Sequence, residues 1–316
     1  MKRFPKKARS RHPKRKRNWR RINQNLKQRG SFTVWITQDA VEHWERPERT
    51  GKPGRPLRYH DIAIQTGYAV KAVYGMPLRQ TEGFLRSVFM LMGLALAIPD
   101  FSTLPRRMPG MHIVAPRRAQ PGESVHMVID STGLKVFGAG EWHEHKHGLR
   151  KIRVYRKLHL LVDADTCEIL ESELTDSATH DGEMLPSFLA RNDTEMHALS
   201  ADGACDQQAC YEALTQRTAR VIIPPRCDAI IRHDDDPNGA WAMRNENVQA
   251  IEKLGLERWK HKQGYYRQSI AENAMSRYKT IFGERLSCRL FPSQKNEAKL
   301  NCIILNAMLA LSPTAA

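Results

Sequence analysis

Three side chains near the C-terminus repeat at a spacing that suits one face of a helix. Tyr265, Glu272 and Lys279 lie seven residues apart in the segment YYRQSIAENAMSRYK. Seven residues make about two helical turns and about 10 Å of rise, so the three project from nearly the same face. A carboxylate between a phenol and an ammonium group suits a surface that holds a cation at its centre and phosphates on either side. The alternative is a solvated helix with a tyrosine packed at one end.

Two aspartates stand where predicted strands end. Asp130 closes the apolar run in SVHMVID, and Asp202 follows the run in HALSADGA. Open α/β sheets place their functional sites at strand ends of this kind. A three-strand meander followed by a crossover makes these two strands neighbours. The two carboxylates would then lie side by side, and Glu272 on a helix across the edge would complete the cluster.

This carboxylate cluster predicts a metal site. Clustered carboxylates repel one another and resist ionisation unless a cation lies between them. Hard oxygen ligands select magnesium or manganese over softer metals. Two such ions can activate water or a 3'-hydroxyl on one side of a phosphorus and stabilise the leaving oxygen on the other. Asp130, Asp202 and Glu272 are therefore the candidate metal ligands and catalytic residues.

Other acids are interpreted as structural. Asp163 and Asp165 are predicted hairpin-turn residues in VDADT, the acids at 234–236 belong to a predicted solvated loop, and Glu297 is placed on the surface of the last helix. What separates Asp130, Asp202 and Glu272 from these is their context at two strand ends and on a helix with phosphate-binding neighbours.

The positive charge of the chain lies in an N-terminal arm. The 316 residues carry a net charge of +16, yet residues 1–30 hold fourteen Lys and Arg and no acid, which leaves 36 basic against 34 acidic side chains elsewhere. Such an arm buries too little apolar surface to fold alone and is predicted to be disordered until it meets a polyanion. Nucleic acid is favoured over anionic membrane, because the arm lacks an apolar face.

Several classes of protein are excluded. No apolar run follows the basic arm as in a secretory signal, and no segment reaches the length of about 18 apolar residues that spans a bilayer. The run CIILNAMLAL is predicted to be a buried C-terminal helix. Six cysteines without a CxxC pair argue against structural zinc and for reduced thiols in a cytoplasm. His143, His145 and His147 form an HxHxH run, interpreted as a solvated edge or loop rather than a transition-metal site.

The rest of the chain divides into three parts. Residues 31–57 are predicted as a linker around the short segment FTVWITQDAVEHW. Residues 58–120 are predicted helical, and their short turns favour a helix-turn-helix module or a plain helical subdomain. From residue 121 to 316, a meander and then alternating helices and strands predict an α/β domain with a mixed sheet flanked by helices, interrupted by a polar, irregular insertion at about 226–260.

Several motifs in order resemble one known family. IDSTGLKVFG, WHEHKHGLRKIRVYRKLHLLVD, the THD of TDSATHDGE, the ADGA segment and the pattern Y-x6-E-x6-K are similar to those of DDE transposases of bacterial insertion sequences. The resemblance is to the insertion-sequence four and five superfamily, most of all the five group, and covers about residues 55–311. LRQTEGFLRSVFMLMGL followed by PDFSTLPRR resembles the region upstream of that catalytic domain.

The resemblance implies a fold and an activity. It implies a ribonuclease H-like fold and binding to the terminal inverted repeats of an insertion sequence. It implies hydrolysis at the element ends with two Mg²⁺ ions, for which Mn²⁺ can substitute, and joining of the freed 3'-hydroxyls to target DNA. A homodimer on DNA and a bacterial, nucleoid-associated location follow from the same resemblance. A DNA-binding derivative that no longer cuts and a metal-dependent nuclease without strand transfer are the alternatives.

The resemblance also assigns roles to residues. Asp130, Asp202 and Glu272 match the three metal-binding acids, while Tyr265 and Lys279 match positions that contact DNA near the cleaved end. The family pattern has an arginine four residues before the glutamate, where this chain has Gln268 with Arg267 beside it. The other predicted DNA contacts are basic residues beside the site and at the end of the helical region: His147, Arg150, Lys151, Arg153, Arg156, Lys157, Arg106 and Arg107.

Overall fold

A five-stranded mixed sheet forms the centre of the α/β domain. The computed structural model describes residues 18–45, 57–113, 124–136, 155–217, 219–232 and 239–311. The strands are β1 (Val125–Lys135), β2 (Tyr155–Asp163), β3 (Ile169–Asp176), β4 (Met196–Ser200) and β5 (Arg220–Ile222). Their order is β3-β2-β1-β4-β5. The first three form the predicted antiparallel meander, and β4 and β5 add in parallel.

Helices surround this sheet and precede it. Before the sheet come α1 (Trp19–Arg29), α2 (Phe32–Trp35), α3 (Gln38–Glu42), α4 (Asp61–Tyr74), α5 (Leu78–Leu91) and α6 (Thr103–Arg107). Within and after it come α7 (Asp181–Arg191), α8 (Gln208–Thr215), α9 (Ala240–Leu254), α10 (Leu256–Gln263), α11 (Ser269–Phe282) and α12 (Phe291–Ala310). None of the helices in the described ranges is long and apolar enough to cross a membrane.

The two faces of the sheet bury separate cores. Alternate residues of a strand point to opposite faces. Met127 and Ile129 accordingly pack in a cluster with side chains of α7 and α8. Val128 packs on the other face with side chains of α11 and α12. The helix that carries Glu272 is thereby held against the sheet by the same strand that carries Asp130.

The C-terminal helix joins the N-terminal helices to the sheet. Cys302 and Leu305 of α12 pack in the core against the sheet, while Ile304 and Met308 pack among the N-terminal helices. The prediction that CIILNAMLAL is a buried helix is confirmed. Glu297 is not on the surface of this helix as expected, because it is 9% exposed and accepts hydrogen bonds from the backbone preceding α12.

The short segment in the predicted linker is part of the helical core. Trp44 is fully buried, its ring centroid lies 4.8 Å from that of Phe89, and its Nε1 donates to Ala97 O at 2.8 Å. Trp35 is buried in the same cluster. The flanking residues 46–56 lie outside the described residues. Two tryptophans give this short stretch enough apolar area to pack, despite its polar surroundings.

Part of the basic arm is helical. The arm was expected to be disordered through residue 30, but α1 runs from Trp19 to Arg29 without a buried residue. The side chain of Asn18 caps its start. Its end is held by Trp35 Nε1, which donates to Arg29 O at 3.0 Å, and by Tyr74, whose hydroxyl donates to Gly30 O at 3.0 Å. Residues 1–17 lie outside the described residues.

From residue 240 onward the insertion at 226–260 is mostly helical, and only its described start, residues 226–232, is irregular as predicted. It contains α9 and the start of α10, which are separated by Gly255 at a φ of +77°. The buried guanidinium of Arg244 donates from Nε to Asp206 Oδ1 at 2.8 Å. This pair ties α9 to the turn after β4. The sequence did not predict this helix, because the residue that fixes it in the interior, Arg244, is charged rather than apolar.

Candidate active site

Asp130 and Asp202 lie side by side because β1 and β4 are parallel neighbours. Val128 pairs with Ser200 in their register, and each aspartate follows two residues later. Asp202 begins the 3-10 turn Gly203–Cys205, and its Oδ1 accepts a hydrogen bond from Ala204 N at 3.0 Å. The predicted neighbouring strands are therefore present, and the two carboxylates lie just past the end of their pairing. The prediction that the strand ends at Asp130 is wrong, because β1 continues to Lys135 in antiparallel pairing with β2.

Burial and like charge make Asp130 difficult to ionise. Burial raises the pKa of Asp130 to about 6, against the hydrogen bond that Ser131 N donates to its Oδ1 at 2.7 Å. The charges of Asp181, Asp202 and Glu272 also contribute to this raised value. A carboxyl held near other acids in this way is stabilised in its charged form by a bound cation.

Asp202 is also difficult to ionise. Burial raises the pKa of Asp202, and the hydrogen bond from Ala204 N opposes that effect. The charge of Asp181 raises the pKa and the ammonium group of Lys157 lowers it. Lys157 of β2 is one of the predicted DNA contacts, and its charge lowers the pKa of Asp202. Its Nζ donates to Thr179 O at 3.1 Å.

Glu272 and Lys279 face Asp130 across an open cleft of about 590 Å³. Both project from α11, and Glu272 is exposed to solvent. The remaining wall of the cleft is formed by Ser131, Thr132, Met275, Ser276, Thr280 and Glu284. A carboxylate and an ammonium group on one helix thus line the same groove as the strand carboxylate.

Tyr265 stands at the other end of this arrangement. It begins the 3-10 turn Tyr265–Gln268 that precedes α11. Burial raises its pKa, and so do the charges of Asp202, Asp130 and Glu272. Its ring packs near Trp259, with 6.3 Å between ring centroids. Tyr265 is therefore in the turn before α11 and not on the helix with Glu272 and Lys279 as its spacing predicted, although the charges of all three acids act on it.

The donor set suits a hard divalent cation. Asp130 and Asp202 each use Oδ1 for a backbone hydrogen bond, and their second oxygens remain as ligands together with the exposed carboxylate of Glu272. Carboxylate oxygens are the ligands that Mg²⁺ and Mn²⁺ prefer. Within the described ranges no three His, Cys, Asp or Glu side chains are already gathered into a metal cage. Asp130 and Glu272 line one cleft, and Asp202 follows the neighbouring strand, so the acids do not form a closed cluster.

A fourth acid, Asp181, lies behind the aspartates in a buried hydrogen-bond network. Its Oδ2 accepts from the hydroxyl of Ser131 at 2.9 Å, and its Oδ1 lies 2.5 Å from Nδ1 of His159. The other ring nitrogen of His159 meets the hydroxyl of Thr175 at 2.9 Å. Burial raises the pKa of Asp181, but its bonds to His159 and Ser131 outweigh this and leave the pKa low. The network holds in place the side chain of Ser131, the residue that follows Asp130.

Gln268, which stands where the family pattern has an arginine, and its neighbour Arg267 both point away from the cleft. Gln268 is buried, and its Nε2 donates to Ile129 O at 2.7 Å. Arg267 forms an ion pair with Asp165 in the turn between β2 and β3. Neither side chain is presented to the cleft that holds Glu272, so Arg267 does not take the place of the missing arginine in this conformation.

The other predicted DNA contacts are placed in different surroundings. The guanidinium of Arg156 lies 4.3 Å from the ring centroid of Phe291 at the start of α12. Arg106 is exposed on α6, whereas Arg107 is paired with Asp61 at the start of α4. His147, Arg150, Lys151 and Arg153 lie outside the described residues, as do the HxHxH run and the acids at 234–236.

Sequence reasoning missed the roles of Asp181, His159 and Gln268. The signal for Asp181 was present in the THD of TDSATHDGE, and His159 stands as the polar residue within the apolar run of β2. Nothing in the local sequence indicates that Gln268 turns inward. Asp165 lies in the hairpin turn as predicted, whereas Asp163 is the last residue of β2. The Asp163 carboxylate supports the turn by accepting from Asp165 N and from the Thr166 hydroxyl.

Comparison with known proteins identifies the family of the chain. Two family models, each described as "Transposase DDE domain", match residues 27–139 and 121–307. A solved structure titled "Cryo-EM structure of piggyBac transposase synaptic complex with hairpin DNA (SNHP)" is similar at a TM-score of 0.36 and 10% identity, over 89% of this chain and 74% of that chain. The second family model alone covers more than half of the chain and contains Asp130, Asp202 and Glu272. The chain therefore belongs to the DDE transposase family.

Proposed function

We propose that the protein is an active transposase of the insertion-sequence four and five superfamily, most like the five group. It binds the terminal inverted repeats of its element, cleaves at the element ends and joins the 3'-hydroxyls to target DNA. The observation that carries this proposal is the placement of Asp130 and Asp202 just past the end of the β1–β4 pairing, with Glu272 and Lys279 lining one cleft together with Asp130. The α/β domain is then a ribonuclease H-like catalytic domain.

Asp130, Asp202 and Glu272 would hold two Mg²⁺ ions, with Mn²⁺ as a substitute. When bound, such ions supply activation of the attacking oxygen and stabilisation of the leaving oxygen at phosphorus. The raised pKa of Asp130, about 6, supports this role, because a carboxyl that resists ionisation beside other acids is stabilised in its charged form by a bound cation.

The protein's own side chains position the DNA. Lys279 places a positive charge on the cleft beside Glu272, and Tyr265 offers a phenol on the opposite side of the acids. Lys157 lies near Asp202 on the sheet. These three groups suit phosphates on either side of the reacting bond, since phosphate contacts orient nucleic acid. Two ends must be held together for joining, which a homodimer on DNA achieves.

The N-terminal region would supply affinity for the duplex. α4 and α5 are joined by the tight turn at Gly75, whose φ is +63°, and this pair is our candidate helix-turn-helix module. Arg106 on α6 is exposed beside it. The basic arm adds attraction to any phosphate backbone.

One assay separates the proposed function from its alternatives. Purified protein is incubated with Mg²⁺, a labelled duplex of the terminal repeat and a target plasmid, alongside an unrelated duplex. A transposase nicks the repeat at the element end and forms joined products. A nuclease cuts both duplexes and forms no joined species. A DNA-binding derivative retards the repeat and gives no product with any divalent cation. Either of the last two results overturns the proposal.

Magnesium is expected to stabilise the protein more at neutral than at acidic pH. The pKa of Asp130 in the folded chain, about 6, lies above the unfolded value, which is about 3.9. Between these values the native state binds more protons, so raising the pH lowers the free energy of unfolding. Once the Asp130 carboxyl is ionised, a bound metal ion offsets its repulsion by the neighbouring acids. The increase in melting temperature on adding Mg²⁺ should therefore grow as the pH rises through about 6.

The control for this prediction is Asp130→Asn, in which that carboxyl no longer titrates. The Mg²⁺-induced shift should be smaller in this variant and should change less with pH. Equal shifts in both proteins at every pH would place the ion away from Asp130.

Removing residues 1–17 is expected to weaken binding to every duplex by the same factor. This deletion takes away ten of the fourteen basic residues of the arm and stops before Asn18, which caps α1. Each lost phosphate contact should reduce the slope of log affinity against log salt by about 0.9. Gel retardation of the terminal repeat and of an unrelated duplex over a salt series measures both. A loss confined to the terminal repeat would contradict the expectation.

A further inference from the structure

Gln268 connects the strand that carries Asp130 to the helix that carries Glu272. It is the last residue of the 3-10 turn before α11, and it is 9% exposed. Its Nε2 donates to Ile129 O at 2.7 Å. Ile129 immediately precedes Asp130, and Glu272 lies one helical turn after Gln268. One hydrogen bond therefore links the two sides of the proposed metal site.

The position of this bond follows from the sheet. The pairing of β1 with β4 ends at Val128 and Ser200, so Ile129 lies past the last paired residue on that side. A buried carbonyl without a partner is costly, and the Gln268 amide supplies the donor. The Gln268 side chain thus supplies a hydrogen bond to β1 just past the end of the β1–β4 pairing, next to Asp130.

The orientation of the amide is determined by its partner. A carbonyl oxygen only accepts, so the NH₂ group of Gln268 must face Ile129. Its Oε1 is then buried without a hydrogen-bond partner among the residues that the structure describes. A methionine would fill the same volume and leave no such orphan. The Gln268 amide therefore does more than fill space, because its donor satisfies the Ile129 carbonyl.

We propose that Gln268 is a positioning residue, which sets Asp130 against Glu272 through the Ile129 carbonyl. The inference rests on the proposed function, and it assigns this side chain a different task from DNA contact. Its loss should weaken the response to metal and slow cleavage, while the affinity for DNA stays the same. Lys279, which lines the cleft, should behave in the opposite way when its charge is removed.

The test compares Gln268→Met with Lys279→Met and with Gln216→Met. Gln216 is an exposed amide at the end of α8, so its variant controls for the substitution itself. Affinity for the terminal repeat is measured by gel retardation in Ca²⁺. The metal response is measured as the increase in melting temperature on adding Mg²⁺, without DNA. Single-turnover cleavage of the repeat is measured over a Mg²⁺ series.

For Gln268→Met we expect an unchanged dissociation constant for DNA. Supporting residues around metal ligands typically affect metal affinity or activity by about 10- to 100-fold. The Mg²⁺ concentration for half-maximal melting shift should rise within that range, and cleavage should slow. Lys279→Met should weaken DNA binding and leave the Mg²⁺ shift unchanged. Gln216→Met should match the wild type in all three measurements.

The proposal is overturned when Gln268→Met weakens DNA binding as much as Lys279→Met with a normal Mg²⁺ response, because that marks a DNA contact. A variant equal to the wild type in every measurement overturns it too. If Gln268→Met fails to fold, Gln268→Glu serves instead, since it keeps the volume and loses the donor. If the wild type cleaves nothing, the proposed function fails, yet the melting shifts still test the link to Asp130.

Discussion

Asp202→Asn is expected to slow cleavage of the terminal repeat by about 10³-fold or more. Loss of a metal ligand removes several kcal/mol of charge stabilisation in the transition state, and each 1.36 kcal/mol corresponds to about tenfold in rate. An asparagine presents one neutral oxygen where the aspartate presents two that share a negative charge. The measurement is single-turnover cleavage and joining with saturating protein and Mg²⁺.

The same substitution should leave the fold intact. The turn after β4 depends on the hydrogen bond from Ala204 N to Asp202 Oδ1, and the amide oxygen of asparagine accepts the same bond. Because the pKa of Asp202 is raised in the folded chain, its ionised form opposes folding at neutral pH. Without metal, the melting temperature of Asp202→Asn should equal or exceed that of the wild type.

Two further variants complete this experiment. Asp228→Asn makes the same chemical change at an exposed residue and should cleave like the wild type. Asp202→Cys should be inactive with Mg²⁺ and recover part of its activity with Mn²⁺, because the softer ion accepts a thiolate more readily. Unchanged nicking and strand transfer by Asp202→Asn would remove this residue from the site.

The parts of the fold that the sequence predicted are those with a local signal. Apolar runs that stop at an acid predicted β1 and β4, and the DADT turn predicted the β2–β3 hairpin. The parts that were wrong depend on distant partners. The segment with Trp44 was assigned to a linker because its packing requires Ala97, 53 residues away. Composition alone does not show that the Trp44 ring of this polar segment is buried.

The same distinction applies to the site. The strand end predicted at Asp202 and the helix shared by Glu272 and Lys279 are present. Asp130 instead lies within β1, and Tyr265 lies in the 3-10 turn before α11 rather than on the helix. Partners far apart in sequence could not be found in this way. Gln268 bonds to a residue 139 positions away, and no spacing rule connects them.

Removing the imidazole of His159 is expected to destabilise the protein by about 3–5 kcal/mol, the usual loss when deleting one partner leaves a buried charge uncompensated. His159 is fully buried and Asp181 nearly so. In His159→Leu, Asp181 keeps only the hydroxyl of Ser131 as a side-chain donor. Denaturant unfolding at neutral pH measures the loss. A second change, Asp181→Asn, removes the uncompensated charge, and the double variant should recover much of the lost stability.

The pH dependence separates this charge effect from simple loss of packing. In the wild type the pKa of Asp181 is lowered, so its contribution is present above the unfolded pKa of about 3.9 and is lost as the pH falls through the lower folded value. In His159→Leu the unpaired carboxyl should have a raised pKa and should take up a proton as the pH falls. The difference in stability between the two proteins should therefore be largest at neutral pH and should narrow towards pH 4. A difference of constant size over that range would show that His159 contributes only its volume, and the Asp181 carboxylate would then need no partner behind the aspartates of the site.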